Sequence, residues 1–379
     1  MAQQHCDKLQ NIANLNCKNF ADSPQGKPSS LRVPPVAETN FKRLRLADVA
    51  LRAGVSTSTV SRALSKPHMV RGEVLARIQN VIAVLGYSPN AAARTLAMNR
   101  SRTIGVVVPT LAIASFAAGV GALQARLSES EYMLHLAISN FNPNLELACV
   151  RELAARDVDG LVLVGTRHDE RIYGILEERG IPFINIWDFV KDDERPCIGF
   201  DNYQAAFDIT NYVLNAGHTR IAIIAGGGPQ RSERSVARLD GCLAAIKARS
   251  IDLLAEMIVE TPYLMEAGSA AVRKLLDSRH PPTAIVCTND ILAVGAMLDC
   301  QREGISVPTD VSISGIDNLD IGALTTPGLT TIQIPAQQMG RLAAEYLIEK
   351  VEGRNPLKRV KLEYALIVRQ SVGKAPSNS

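Results

Sequence analysis

Leu46-Ala47-Asp48-Val49-Ala50-Leu51-Arg52-Ala53-Gly54-Val55-Ser56-Thr57-Ser58-Thr59-Val60-Ser61-Arg62-Ala63-Leu64 reads as two short helices around a tight turn. Leu46, Val49, Ala50 and Ala53 recur at i, i+3, i+4 and i+7, one apolar face of a helix. Gly54 allows the backbone to turn where a side chain would resist, and Ser56 is a good N-cap for the second helix. Val60, Ala63 and Leu64 give that helix an inner face. Its other face carries Thr57, Ser58, Ser61 and Arg62, all able to hydrogen-bond. This is the layout of a helix-turn-helix, whose second helix enters the DNA major groove. There Thr57 and Ser58 reach base edges and Arg62 forks onto guanine.

Charge supports this reading. The chain's net charge is only +3, yet residues 42–102 hold 11 Lys and Arg against two acids, a local +9. Residues 1–41 carry +1, which leaves −7 on residues 103–379. A basic module on an acidic body concentrates phosphate attraction in one place.

A second motif strengthens the first. Asp48-Val49-Ala50, Ala53-Gly54-Val55-Ser56 and Thr59-Val60-Ser61-Arg62 resemble the headpiece of the lac repressor family of regulators. Gly86-Tyr87-Ser88-Pro89-Asn90-Ala91-Ala92-Ala93-Arg94-Thr95-Leu96 resembles that family's hinge helix. The resemblance implies that the segment holding Asn90 and Leu96 lies paired in the minor groove of an operator. It also implies that Leu96 wedges into the central base step. A third headpiece helix is expected, with Val74, Ile78, Val81, Ile82 and Leu85 on one face. Arg71-Gly72 departs from the Ser or Thr cap usual in the family. Family members begin near Lys42, and the polar, patternless residues 1–41 read as a disordered extension.

With 379 residues, 46% of them hydrophobic, the chain holds two or three domains. No apolar run reaches the length of a membrane span, and no export signal is visible. The seven cysteines are scattered, odd in number and without CxxC spacing, so they read as reduced thiols of a cytoplasmic protein. No metal site and no cofactor are expected.

After Thr103 apolar runs alternate with helical patterns. Strands are expected at Ile104–Pro109, Tyr132–Ser139, Gly160–Thr166, Ile181–Trp187, Ile221–Gly226, Thr283–Thr288 and Val311–Ile316. Helices lie between them, for example at Leu145–Arg156, Tyr203–Ala216 and Ile291–Glu303. Such alternation gives parallel sheets flanked by helices, an α/β core. The resemblance implies the two-lobed fold of periplasmic sugar-binding proteins. The chain would cross between lobes near residues 200–203 and 330–335, and helix Gln337–Val351 would return to the first lobe. The expected organisation is extension 1–41, headpiece 42–88, hinge and linker 89–102, core 103–372 and tail 373–379.

Ligands of open α/β sheets sit beyond the carboxyl ends of the strands. Three such ends here lead to Arg, amide and carboxylate groups, a set that suits adjacent hydroxyls. Ser235-Val236-Ala237-Arg238-Leu239-Asp240-Gly241, Thr288-Asn289-Asp290 and Gly315-Ile316-Asp317 resemble the family's effector segments. This implies that Arg238, Asn289 and Asp317 bind the effector, while Asp290 also reads as a simple cap for the next helix. Thr110 and Phe116 follow the first strand and are expected to line the site. Trp187 is either a surface for stacking a sugar or a hydrophobic plug. His218 in Gly217-His218-Thr219-Arg220 reads as structural. Arg231, Arg234 and Arg238 recur at i, i+3 and i+7; if two face the cleft, a sugar acid fits, because Arg forks match carboxylates. Cys287-Thr288-Asn289-Asp290, Cys300-Gln301-Arg302 and Asp320-Ile321-Gly322 resemble gluconate-type regulators of the family. A neutral sugar is the alternative.

Enzyme signatures are missing. Gly226-Gly227-Gly228 lacks the Lys and Ser or Thr of a P-loop, and there is no His-Glu-x-x-His or Gly-x-Ser-x-Gly. The expected protein is therefore a repressor that binds a palindromic double-stranded operator as a homodimer. A small carbohydrate or sugar acid held between the lobes would release it. A ligand that tightens DNA binding is the alternative sign, and a sugar-binding protein without a DNA role a more distant one. The tail lacks heptad leucines, which argues for a dimer rather than a helical-bundle tetramer.

Overall fold

The computed structural model describes residues 44–87, 100–227 and 231–376. The expected extension, the hinge residues Asn90 and Leu96, Gly228 and the last tail residues lie outside them. The chain divides into two compact units, before and after Pro89.

The first unit is helical. Helix α1 (Leu46–Ala53) buries Val49, Ala50 and Ala53 and stops at Gly54, whose φ of 64° is left-handed. Helix α2 (Thr57–Ser65) begins at Ser56, whose hydroxyl accepts from the Thr59 amide. It buries Val60 and Ala63. Leu64, expected inside, is 36% exposed. The short helix is lined internally by Val60 and Ala63 alone. Helix α3 (Gly72–Leu85) buries Ile78 fully, and Val74, Val81, Ile82 and Leu85 close over the same small core. Arg71 makes no side-chain cap, and Gly86 at φ 62° ends the helix.

The second unit is built from two six-stranded sheets. The first lobe runs β1 (Thr103–Val108), α4 (Ala114–Glu129), β2 (Met133–Ile138), α5 (Pro143–Ala155), β3 (Gly160–Val164), α6 (Glu170–Glu178), β4 (Phe183–Ile186) and β5 (Cys197–Gly199). The second runs α7 (Asn202–Asn215), β6 (Ile221–Gly226), α8 (Glu233–Ala248), β7 (Ile258–Thr261), α9 (Met265–Leu276), β8 (Ala284–Cys287), α10 (Asp290–Arg302), β9 (Ser312–Asp317), α11 (Asp320–Leu324) and β10 (Thr330–Gln333). Helix α12 (Ala336–Val351) returns to the first lobe, followed by β11 (Arg359–Lys361), and β12 (Ala365–Ile367) lies in the second.

Strand order is β11-β5-β4-β3-β1-β2 in one sheet and β12-β10-β9-β8-β6-β7 in the other. All pairings are parallel except β10 with β12. Central strands such as β3 and β6 are buried along their whole length, as sheets covered on both faces require. Helices α4 and α12 touch backbone to backbone: a Cβ on Gly340 would sit 2.0 Å from the Gly119 carbonyl oxygen.

The strands and helices expected in the core are present, with ends moved by a few residues. Strands β5, β7, β10, β11 and β12 are not among those expected. The chain also crosses between lobes three times: before α7, between β10 and α12, and between β11 and β12. The third crossing has no signal in the sequence, because β11 and β12 are three-residue strands without an alternating pattern. The crossings are adjacent. β11 pairs with β5, Leu362 donates to the Gly199 carbonyl at 2.7 Å, and Gln333 faces Ala365 across β10 and β12.

Candidate ligand cleft and nucleic-acid interface

In the helical unit, α2 presents Thr57, Ser58 and Arg62 to solvent, with Thr59 and Ser61 half-buried beside them. The Ser56 hydroxyl lies 2.8 Å from those of both Ser58 and Thr59, so the start of the helix is pre-organised by its own side chains. Arg52, Arg62, Lys66, Arg71 and Arg77 are exposed and engage no carboxylate among the described residues. A hydroxyl-rich helix face with unneutralised guanidinium groups can read base edges and hold phosphates.

In the core, the carboxyl ends of both sheets face one cleft. It is narrow, partly open to solvent, and lined by Ile113, Ser115, Phe116, Phe141, Trp187, Ser232, Arg234, Arg238, Tyr263, Asn289 and Asp317. Several strand ends adopt positive φ there: Phe141 at 57°, Gly165 at 111°, Trp187 at 79° and Asp317 at 130°. For residues with a Cβ such backbone is costly and persists where the surroundings enforce it.

Arg238, on α8, is fixed on every side. Its Nε donates to Asn202 Oδ1 at 2.9 Å and its Nη1 to the Thr288 carbonyl at 2.8 Å. Its Nη2 lies 3.1 Å from Asp317 Oδ1. That oxygen is buried and accepts no well-aligned hydrogen bond, so the contact is a charge pairing. Asp317 Oδ2 accepts from Asn289 Nδ2 at 2.6 Å and, from the other lobe, from the Ser115 hydroxyl at 3.4 Å. Burial pushes the Asp317 carboxyl above its ordinary range, against the pull of Arg238.

Asn289 does two jobs. Its Oδ1 caps α10 by accepting from the Ile291 amide at 2.8 Å, while its Nδ2 holds Asp317. Asp290, read from sequence as the cap, is the first helical residue and points inward. It accepts from Thr331 Oγ1 at 2.6 Å and from the Leu319 amide at 2.8 Å. Burial, then the neighbouring Asp317, raise its carboxyl to about 7.

Phe116 and Trp187 meet at 5.0 Å and 46° and form one wall of the cleft. Trp187 is only 2% exposed, packed so that a Cβ on Gly119 would lie 2.4 Å from its ring. Of the two roles open to it, plug is the one its burial matches. Thr110 is not among the lining residues; its hydroxyl accepts from the Ala112 amide at 3.0 Å. Arg231 precedes α8, pairs with Glu260 at 3.0 Å and is half-exposed. Sequence reasoning missed Phe141 and Tyr263, whose rings stack at 5.8 Å and 23° from opposite lobes. It also missed Ser115 and Ser232. His218 is buried between Thr283 and the Gly373 carbonyl, a structural pin for the tail.

Among the described residues no group of His, Cys, Asp or Glu is placed to hold a metal ion, and no helix is long and apolar enough to cross a membrane.

A helix-turn-helix unit joined to a two-lobed ligand-binding core defines a ligand-responsive transcription factor. Residues 45–90 match the model of bacterial regulatory proteins of the lacI family, and residues 210–372 match that of the periplasmic binding protein-like domain. The chain is 34% identical over 311 residues to the HTH-type transcriptional repressor CytR of Escherichia coli (strain K12), covering 82% of this chain and 90% of that one. It is 31% identical over 334 residues to the HTH-type transcriptional repressor PurR of Proteus mirabilis (strain HI4320), covering 87% and 97%. A crystal structure of the lac repressor dimer bound to operator and the anti-inducer ONPF superposes with a TM-score of 0.79 at 25% identity, over 88% of this chain and 100% of that one. The chain belongs to the lacI family of bacterial regulatory proteins and is a DNA-binding transcriptional repressor, not an enzyme.

Proposed function

We propose that the protein binds a two-fold-symmetric operator in the cytoplasm as a homodimer and that a small polyhydroxylated effector in the cleft releases it. The observation that carries this reading is the Arg238–Asp317–Asn289 constellation, reached from the other lobe by Ser115. It offers donors and acceptors side by side, as vicinal hydroxyls need. Because the site draws on both lobes, a ligand bound there favours one closure angle. It shifts DNA affinity only as far as its affinities for the two states differ.

Thr57, Ser58, Thr59, Ser61 and Arg62 are the base- and phosphate-facing set in this reading, supported by the exposure of Thr57, Ser58 and Arg62 on α2, with Thr59 and Ser61 half-buried beside them. Asn90 and Leu96 of the hinge join them on the strength of the family resemblance. Dimerisation through the core is supported by β2, an edge strand that exposes Met133, Leu136 and Ile138. Such an apolar edge needs covering.

Operator titrations with candidate carbohydrates test the proposal. Induction predicts weaker DNA binding with ligand, a coupling of about 1–3 kcal/mol. Tightening would assign the ligand as co-repressor, and unchanged affinity would reject an effector role for the cleft.

A further inference from the structure

Arg234 is one of three arginines, with Arg231 and Arg238, that the sequence offers to a ligand carboxylate. In the structure its own neighbour occupies that place. Glu233 Oε1 lies 2.9 Å from Arg234 Nη1 and accepts from the Thr166 amide, in the opposite lobe, at 2.9 Å. Both side chains are almost fully buried, at 8% exposure for Arg234 and 12% for Glu233. Arg234 Nη1 also donates to the Val164 carbonyl at 3.3 Å.

Gly165, between these two first-lobe contacts, makes the approach possible. A Cβ there would lie 2.3 Å from Glu233 Oε1 and 2.4 Å from Arg234 Nη1, and its φ of 111° disfavours a side chain in any case. A backbone N–H and a guanidinium converging on one oxygen are the donors that recognise a carboxylate. Arg238 is likewise paired with a carboxylate of its own, Asp317, and also donates to Asn202 and the Thr288 carbonyl. Asp188 stands behind the subsite, accepting from Thr166 Oγ1 at 3.2 Å. An incoming anion would therefore meet two guanidinium groups already paired and three carboxylates.

We propose that Glu233 is a built-in occupant of a carboxylate subsite formed by the Thr166 amide and Arg234, and that it thereby restricts the cleft to uncharged polyhydroxylated ligands and excludes sugar acids. The proposal rests on the reading of the cleft as the effector site. The exclusion works through repulsion between an incoming anion and the resident carboxylates, and through the cost of burying a second negative charge beside them.

The test uses the full chain and probes that do not depend on the shape of the natural effector. Thermal unfolding is followed in acetate, in its neutral counterpart acetamide, and in chloride at matched ionic strength, which cancels general screening. Glu233→Ala and Glu233→Ser should gain a saturable, acetate-specific rise of about 2–4 °C in unfolding temperature. The wild type and Glu233→Ala combined with Arg234→Gln should show none. D-gluconate should not stabilise the wild type. A saturable response of the wild type to acetate or gluconate overturns the proposal. So does the absence of an acetate response in whichever of the Ala and Ser variants unfolds cooperatively. Selective capture of genomic DNA by the same preparations is the separate readout: its failure in the wild type counts against the repressor reading and leaves the anion result standing.

Discussion

Arg238 Nη2 and Asp317 Oδ1 face each other at 3.1 Å in the buried wall of the cleft, and Asp317 holds its place with a φ of 130°. The pair is thus built at a backbone cost that packing alone would not select. It stands where a ligand hydroxyl would exchange with it.

Asp317→Asn keeps the shape and removes the charge. Operator binding should persist while the response to effector is lost, giving an uninducible repressor. Arg238→Ala should give the same phenotype with a further loss of stability, about 3–5 kcal/mol, because Asp317 is left buried and unpaired. Operator titrations and denaturant melts separate the two effects. An Asp317→Asn protein that still responds fully would remove the pair from effector binding.

Arg62 is exposed on α2 and free of carboxylate neighbours among the described residues. Arg62→Ala should weaken operator binding by about 1–3 kcal/mol and relax preference at one base position per half-site. Thr57 and Ser58 are shorter, so their alanine variants should lose less. Equal weakening on operator and random DNA, measured at one salt concentration, would reduce Arg62 to a phosphate contact.

Asp290 predicts a pH dependence. Its carboxyl rises from an ordinary 3.8 to about 7 in the folded chain, through burial first and Asp317 second. A raised folded value means that the folded state holds the proton more tightly. The stabilisation is complete below the ordinary value and is lost as pH rises through about 7. Between about pH 5 and 8 the wild type should lose on the order of 2 kcal/mol relative to Asp290→Asn. Parallel stability curves for the two proteins across that range would contradict this.

The edge strand β2 leaves Met133 65% exposed, Leu136 40% and Ile138 41%. Leu136→Asp should give a monomer in light scattering and lower operator affinity, since each half-site would then be bound independently. A variant that stays dimeric would move the interface elsewhere.

Much of this molecule is legible in its sequence, and the remainder is hidden for identifiable causes. Period and capping residues mark α1 and α2, and long buried runs mark β1, β3 and β6. The short strands β5, β11 and β12 escape because three residues next to charged loops carry no periodicity; β7 escapes because Glu260 interrupts it. Strand ends and family resemblance point to Arg238, Asn289 and Asp317, which the cleft brings together. The partner of Arg234 is hidden, since adjacent helical residues ordinarily face apart. Here Glu233 and Arg234 both turn to the first lobe because the helix has only just begun. Asn289 takes over the cap read for Asp290 while keeping its place in the cleft, for a related reason: the helix starts one residue earlier, turning Asp290 inward.

The three adjacent crossings between lobes carry a mechanical consequence. A single connection would let the lobes twist, slide and bend. Three connections side by side, the first and third tied by the Lys361–Asp201 ion pair at 3.1 Å and the Tyr364–Asp208 hydrogen bond, oppose twist and shear more than one would and favour bending about a single axis. The core then behaves as a caliper. In the proposed reading, whatever lies between its jaws sets a single angle, and molecules of different girth, equally well bound, would set different degrees of repression.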